Sequence, residues 1–103
     1  MSAPGVPSRA VYRRIGEFAV RTAGGETVLV PIRSGVGELD SIFALNEVGG
    51  RIWSLLEAGK SVDEISVSLS NEYEVTVEEA QRDVAEFLAS LTEAGVIEAE
   101  TGR

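Results

Sequence analysis

Leu45-Asn46-Glu47-Val48-Gly49-Gly50-Arg51-Ile52-Trp53 decides how this chain is read, because it joins a strand pattern to a helix pattern with no loop between them. Upstream, Phe43 and Leu45 alternate with smaller residues, as in a half-buried strand. Asn46 is a residue type that favours the N-cap, where its side-chain oxygen accepts a backbone N–H. Downstream, Val48, Ile52, Leu55 and Leu56 fall on one helical face with Trp53 beside them, until Ala58-Gly59 ends the run. Gly49 and Gly50 need a reason, since each glycine costs about 1 kcal/mol relative to alanine in a helix interior. Close approach of another backbone element is the expected reason, against an unwound first turn.

Two further helices open on a common device. Ser61-Val62-Asp63-Glu64 is a capping box, in which Ser61 accepts the Glu64 N–H and the Glu64 side chain returns to the Ser61 N–H. Val62, Ile65 and Leu69 mark the buried stripe of that helix, and residues 71–75 close it. Thr76-Val77-Glu78-Glu79 repeats the box and starts a third helix with Ala80, Val84, Phe87, Leu88 and Leu91 on one face. Gly95 is placed to stop it, and Val96-Ile97 returns to the core as a short extended segment.

On the N-terminal side, residues 18–22 alternate and residues 27–32 are rich in β-branched side chains, with Gly24-Gly25 between them, which predicts a β-hairpin. Pro31 has no N–H to give a ladder, so it belongs near a strand end or on an edge. Residues 34–37 read as a loop and residues 39–45 as a third strand. The simplest assembly is an α+β fold, a three-stranded antiparallel sheet followed by three helices. Residues 1–16 read as a flexible N-terminal arm, within which 11–15 is either a short edge strand or an extended stretch. Residues 17–98 form the domain and 99–103 a C-terminal tail.

A chain of 103 residues supports one domain. It contains neither cysteine nor histidine, which removes disulfides, thiolate nucleophiles, imidazole bases and the usual zinc ligands. No cofactor or metal is expected, and no enzymatic activity. No apolar run approaches the ~18 residues of a membrane span and no signal peptide opens the chain, so the expected location is the cytoplasm, away from membranes. The net charge of −8 is uneven: residues 1–45 hold five arginines against four acids, and residues 46–103 hold four basic residues against thirteen acids. An acidic helical half repels phosphate backbones, so no nucleic-acid partner is expected. Glu64 and Glu79 are explained as capping residues and Asp63 and Glu78 as complements of the helix dipole, which leaves Asp83 and Glu86 as solvated helix-face acids. Trp53 is expected to pack against Phe87 or the sheet.

The third strand is the functional candidate. If it lies at the sheet edge, its unpaired backbone groups can accept an extended peptide, with adjacent helix surface offering side-chain pockets. The plainer reading is an edge blunted by Asp40 and by its own short length. Here the pattern becomes familiar. Phe43-Ala44-Leu45-Asn46-Glu47-Val48-Gly49-Gly50-Arg51-Ile52-Trp53, then Leu55-Leu56, Ser61-Val62-Asp63-Glu64-Ile65, Asp83-Val84, Phe87-Leu88, Leu91 and Gly95-Val96-Ile97 resemble the PqqD-like family, also called the RiPP recognition element. The resemblance covers about residues 17–98 and implies a winged-helix-like domain. It implies a non-catalytic peptide chaperone that binds the leader segment of a ribosomally made precursor peptide by strand addition and presents it to a modifying enzyme, often a radical SAM protein. In the name-giving pathway the product is pyrroloquinoline quinone, and other members serve lasso, thioether and mycofactocin-type products. Carried onto this chain, the leader-facing strand is Asp40, Ser41, Ile42, Phe43 and Ala44, with Gln81, Ala85, Leu88 and Thr92 as the facing helix surface, the latter set chosen by i, i+4, i+7 spacing beside the core stripe. Phe43 and Leu45 are expected to point inward, leaving Ile42 and Ala44 outward. The alternative function is a winged-helix DNA-binding regulator, which the acids on the third helix oppose.

Overall fold

The computed structural model describes residues 9–32 and 42–100. The N-terminal residues 1–7, the loop at 34–37, the strand residues 39–41 with Asp40 and Ser41, and the tail residues 101–103 lie outside the described residues. The elements run β1 (Tyr12–Arg14), β2 (Glu17–Ala23), β3 (Glu26–Ile32), β4 (Phe43–Leu45), α1 (Glu47–Glu57), α2 (Val62–Glu72), α3 (Val77–Glu93) and β5 (Ile97–Ala99).

The expected hairpin forms, with β2 and β3 antiparallel in the register Ala23↔Glu26 to Glu17↔Ile32 and Gly24-Gly25 as its two-residue turn, both at positive φ. β4 adds antiparallel to β3, so the sheet order is β2-β3-β4. Leu29 opposes Phe43, and Thr27 opposes Leu45. These residues share the face turned to the helices, where Leu29, Thr27 and Leu45 are buried. Three helices follow, and the whole is winged-helix-like.

Each helix starts where its cap dictates. The Asn46 side chain accepts the Gly49 N–H at 2.8 Å. Ser61 accepts from Glu64 at 3.2 Å while Glu64 accepts the Ser61 N–H at 2.8 Å, and Thr76 and Glu79 exchange the same pair of bonds at 3.0 and 3.3 Å. α3 stops at Gly95, whose positive φ lets the Val96 N–H donate to the Leu91 carbonyl at 2.9 Å and the Gly95 N–H to that of Thr92 at 3.0 Å. This turns the chain back so that Val96 and Ile97 enter the core.

Of the two readings of residues 11–15, a strand is realised, but in a separate ribbon. β1 pairs antiparallel with β5, not with the main sheet, in the register Tyr12↔Ala99 to Arg14↔Ile97. The Ile15 N–H donates to the Val96 carbonyl at 2.7 Å, and the Val62 N–H donates to that of Ala10 at 2.9 Å. Tyr12 is buried in the core. Residues 10–15 thus pair with and pack on the domain expected from 17 onward.

The core lies between the sheet and the helices, with Leu29, Ile52, Leu56, Ile65, Leu69, Val84, Leu88 and Ile97 fully buried. Trp53 is also buried and meets Phe18 of β2 edge-on, ring centroids 6.0 Å apart at 83°. Of the two packing partners expected for Trp53, it is the sheet that takes the ring. Buried Ser66 donates its hydroxyl to the Val62 carbonyl at 2.9 Å, which satisfies it within its own helix.

Candidate functional site

The glycine pair fixes how closely the site's parts approach. α1 is helical from Glu47, so its first turn is not unwound. A Cβ on Gly50 would lie 2.5 Å from Thr27 Oγ1 and 3.1 Å from Thr27 Cβ, and one on Gly49 would lie 3.2 Å from Phe87 Cε1 and 3.3 Å from Leu45 Cβ. The start of α1 is pressed against β3 on one side and α3 on the other.

Between α1 and α3 this leaves a cleft of about 440 Å³, lined by Asn46, Val48, Gly49 and Ile52 from α1 and its cap, and by Asp83, Glu86, Phe87 and Ser90 from α3. The cleft begins at Asn46, the residue that follows β4. β4 pairs with β3 along one edge, and among the described residues no strand pairs with the other. An open strand edge and a groove are therefore contiguous. Along β4, Leu45 is buried and Phe43 half-buried against the core, whereas Ile42 is 62% exposed and Ala44 exposed, the alternation expected of this register.

The candidate residues separate into three groups. Ile42, Phe43 and Ala44 stand at the open edge; Asp40 and Ser41 lie outside the described residues. On α3, Gln81 and Thr92 are exposed but do not line the cleft. Ala85 and Leu88 are core residues, 6% and 0% exposed, and offer no surface to a ligand. Gln81, Ala85 and Thr92 each follow a residue of the core stripe, to which Leu88 and Phe87 belong, whereas Asp83, Glu86 and Ser90 of the cleft each precede one. Asn46 and Val48 were visible in the junction sequence as cap and core residues, and only the packing of α1 on α3 makes them groove residues.

The site is acidic, and its carboxylates have no ion-pair partner among the described residues. The ion pairs among the described residues are Arg13–Glu98, Arg14–Glu57 and Arg51–Glu72, none of which involves Asp83 or Glu86. A second cleft, of about 520 Å³ and lined by Tyr12, Arg13, Arg14 and Glu57 among others, has both arginines matched by carboxylates. Arg51 donates 2.9 Å hydrogen bonds to both carboxylate oxygens of Glu72, tying α1 to α2. These bonds hold the Glu72 carboxyl below, and the Arg51 guanidinium above, their ordinary ranges. Burial pushes the Tyr12 phenol up. Among the described residues no group of three or more histidine, cysteine, aspartate or glutamate side chains is placed to hold a metal ion. No described helix is long and apolar enough to cross a membrane.

The family model described as Coenzyme PQQ synthesis protein D (PqqD) matches residues 26–97. Among solved structures, one described as "Lasso peptide synthetase B1 complexed with the leader peptide" is similar at 31% identity and a TM-score of 0.70, covering 84% of this chain and 96% of that one. Another, "TbiB1 in Complex with the TbiA(beta) Leader Peptide", is similar at 33% identity and a TM-score of 0.67, covering 82% of this chain and 93% of that one. None of the curated proteins matches.

Proposed function

This chain belongs to the PqqD family, and from that premise we propose that it is a non-catalytic chaperone that binds the leader segment of a ribosomally made precursor peptide. The observation that carries the reading is the open edge of β4 beside the α1/α3 groove, in a fold shared with two proteins solved with leader peptides. The leader adds antiparallel or parallel to β4 as a fourth strand, its backbone satisfying the edge groups of residues 42–45 and its side chains entering the groove. Ile42, Phe43 and Ala44 supply the strand, extended by Asp40 and Ser41, and Val48, Asp83, Glu86, Phe87 and Ser90 supply the groove.

The bound leader is then presented to a modifying enzyme. Lasso peptide maturation is the favoured pathway, because both solved relatives are leader complexes and one is a lasso peptide synthetase subunit. Pyrroloquinoline quinone synthesis with a radical SAM partner is supported by the family description alone. A ribosomal precursor is met in the cytoplasm, which supports a cytoplasmic location. The DNA-binding alternative requires α3 to enter a groove lined by phosphates, and its exposed face carries Glu78, Glu79, Asp83 and Glu86 against Arg82.

Titrating isotopically labelled protein with the leader peptide of the precursor encoded beside its gene tests the reading. The amides of residues 42–45 and of α3 are expected to shift, and those of β1 and β5 to stay. Saturating peptide without shifts in β4 would overturn it.

A further inference from the structure

We propose that the groove selects a peptide carrying a lysine or arginine close to an apolar residue, the apolar side chain resting on Val48 and Phe87 and the cation lying between Asp83 and Glu86. This rests on the peptide-binding reading above and adds to it the chemistry of the ligand. Asp83 and Glu86 are three residues apart on α3, so they share a face, and both line the cleft together with Phe87 and Val48. Both are exposed, and neither is ion-paired among the described residues. In the other cleft, by contrast, both lining arginines are ion-paired, Arg14 with Glu57 and Arg13 with Glu98. The surrounding chain does not compensate either, since residues 46–103 hold thirteen acids against four basic residues. An acidic segment crossing this groove meets repulsion at both carboxylates, and a basic one meets attraction that also speeds encounter.

Geometry narrows the pattern further. In an extended peptide, side chains alternate between faces with a period of two. An apolar and a basic residue that both enter the groove therefore sit two or four positions apart, never adjacent.

A random-peptide library displayed on its own mRNA and selected against the full 103-residue chain provides the test, followed by affinity measurement on synthetic winners. Winners are expected to shift the β4 amides and to carry Lys or Arg two or four positions from an apolar residue. Replacing that basic residue with alanine should weaken binding about two- to fivefold, as for an exposed ion pair, and the loss should shrink at high salt. Asp83→Asn combined with Glu86→Gln should produce the same loss on the unmodified peptide and add nothing to the alanine peptide. The peptide-side substitution reads the interaction without touching the protein's fold. Winners that shift β4 but lack basic enrichment, or whose affinity ignores both sets of substitutions, overturn the charge inference and leave strand addition standing. Winners that bind without shifting β4, or a library without winners, overturn both.

Discussion

Gly50 shows how one missing methyl group sets the architecture. Helix propensity alone makes Gly50→Ala stabilising by about 1 kcal/mol. Packing argues the other way, because the new Cβ would sit 2.5 Å from the Oγ1 of Thr27, a buried β-branched side chain with little rotamer freedom. Forcing a methyl group into such a contact costs about 1–3 kcal/mol, so the net expectation in urea unfolding is destabilisation by up to about 2 kcal/mol. Gly49→Ala should cost less, since its nearest contacts are 3.2–3.3 Å and include the edge of the Phe87 ring. Adding Thr27→Ala to Gly50→Ala should recover part of the loss, because it removes the atom at 2.5 Å and leaves the one at 3.1 Å. Stabilisation by Gly50→Ala would mean that β3 and α1 are not in the contact described here.

Individual elements differ in how much of them local sequence can encode. The helices were legible because a cap, an apolar period and a stop occupy neighbouring residues: Asn46, Ser61 and Thr76 start them where expected, and Gly95 stops α3. The hairpin was legible for the same reason, its turn glycines lying between its strands. The pairing of β1 with β5 was not, since each has three residues and its partner lies at the other end of the chain. Tyr12 carried no pattern to announce that it would be 8% exposed. On α3 the expected set Gln81, Ala85, Leu88 and Thr92 and the cleft-lining set Asp83, Glu86, Phe87 and Ser90 share no residue. Spacing identifies the core stripe of Val84 and Leu88, but which flank faces α1 follows from how α3 packs against α2 and α1. The ribbon itself can be tested. Tyr12→Ala should destabilise the protein by about 3 kcal/mol by leaving a large cavity, and should speed amide exchange in β5 ahead of that in the three-stranded sheet. Loss of less than about 1 kcal/mol would fit a surface residue and not a core one.

Across the whole molecule, the sheet and the ribbon flank the helical core as separate units, and ligand binding should affect them unequally. A peptide added to β4 extends the order β2-β3-β4 by one strand. α1 begins after a single intervening residue, Asn46, so fixing β4 also fixes the cap and the first turn that touches Phe87. A ligand that binds only the folded state at one hundred times its Kd stabilises it by about 2.7 kcal/mol, which for a domain of this size raises Tm by roughly 10 °C or more. Amides that exchange only through global unfolding should all slow by that amount, wherever they lie. Those that exchange through local opening should slow in β4, the first turn of α1 and the groove face of α3, and keep their rates in β1 and β5. Hydrogen exchange with and without saturating peptide separates the two classes. Equal slowing of locally opening amides in the ribbon would show that β1 and β5 open together with β4.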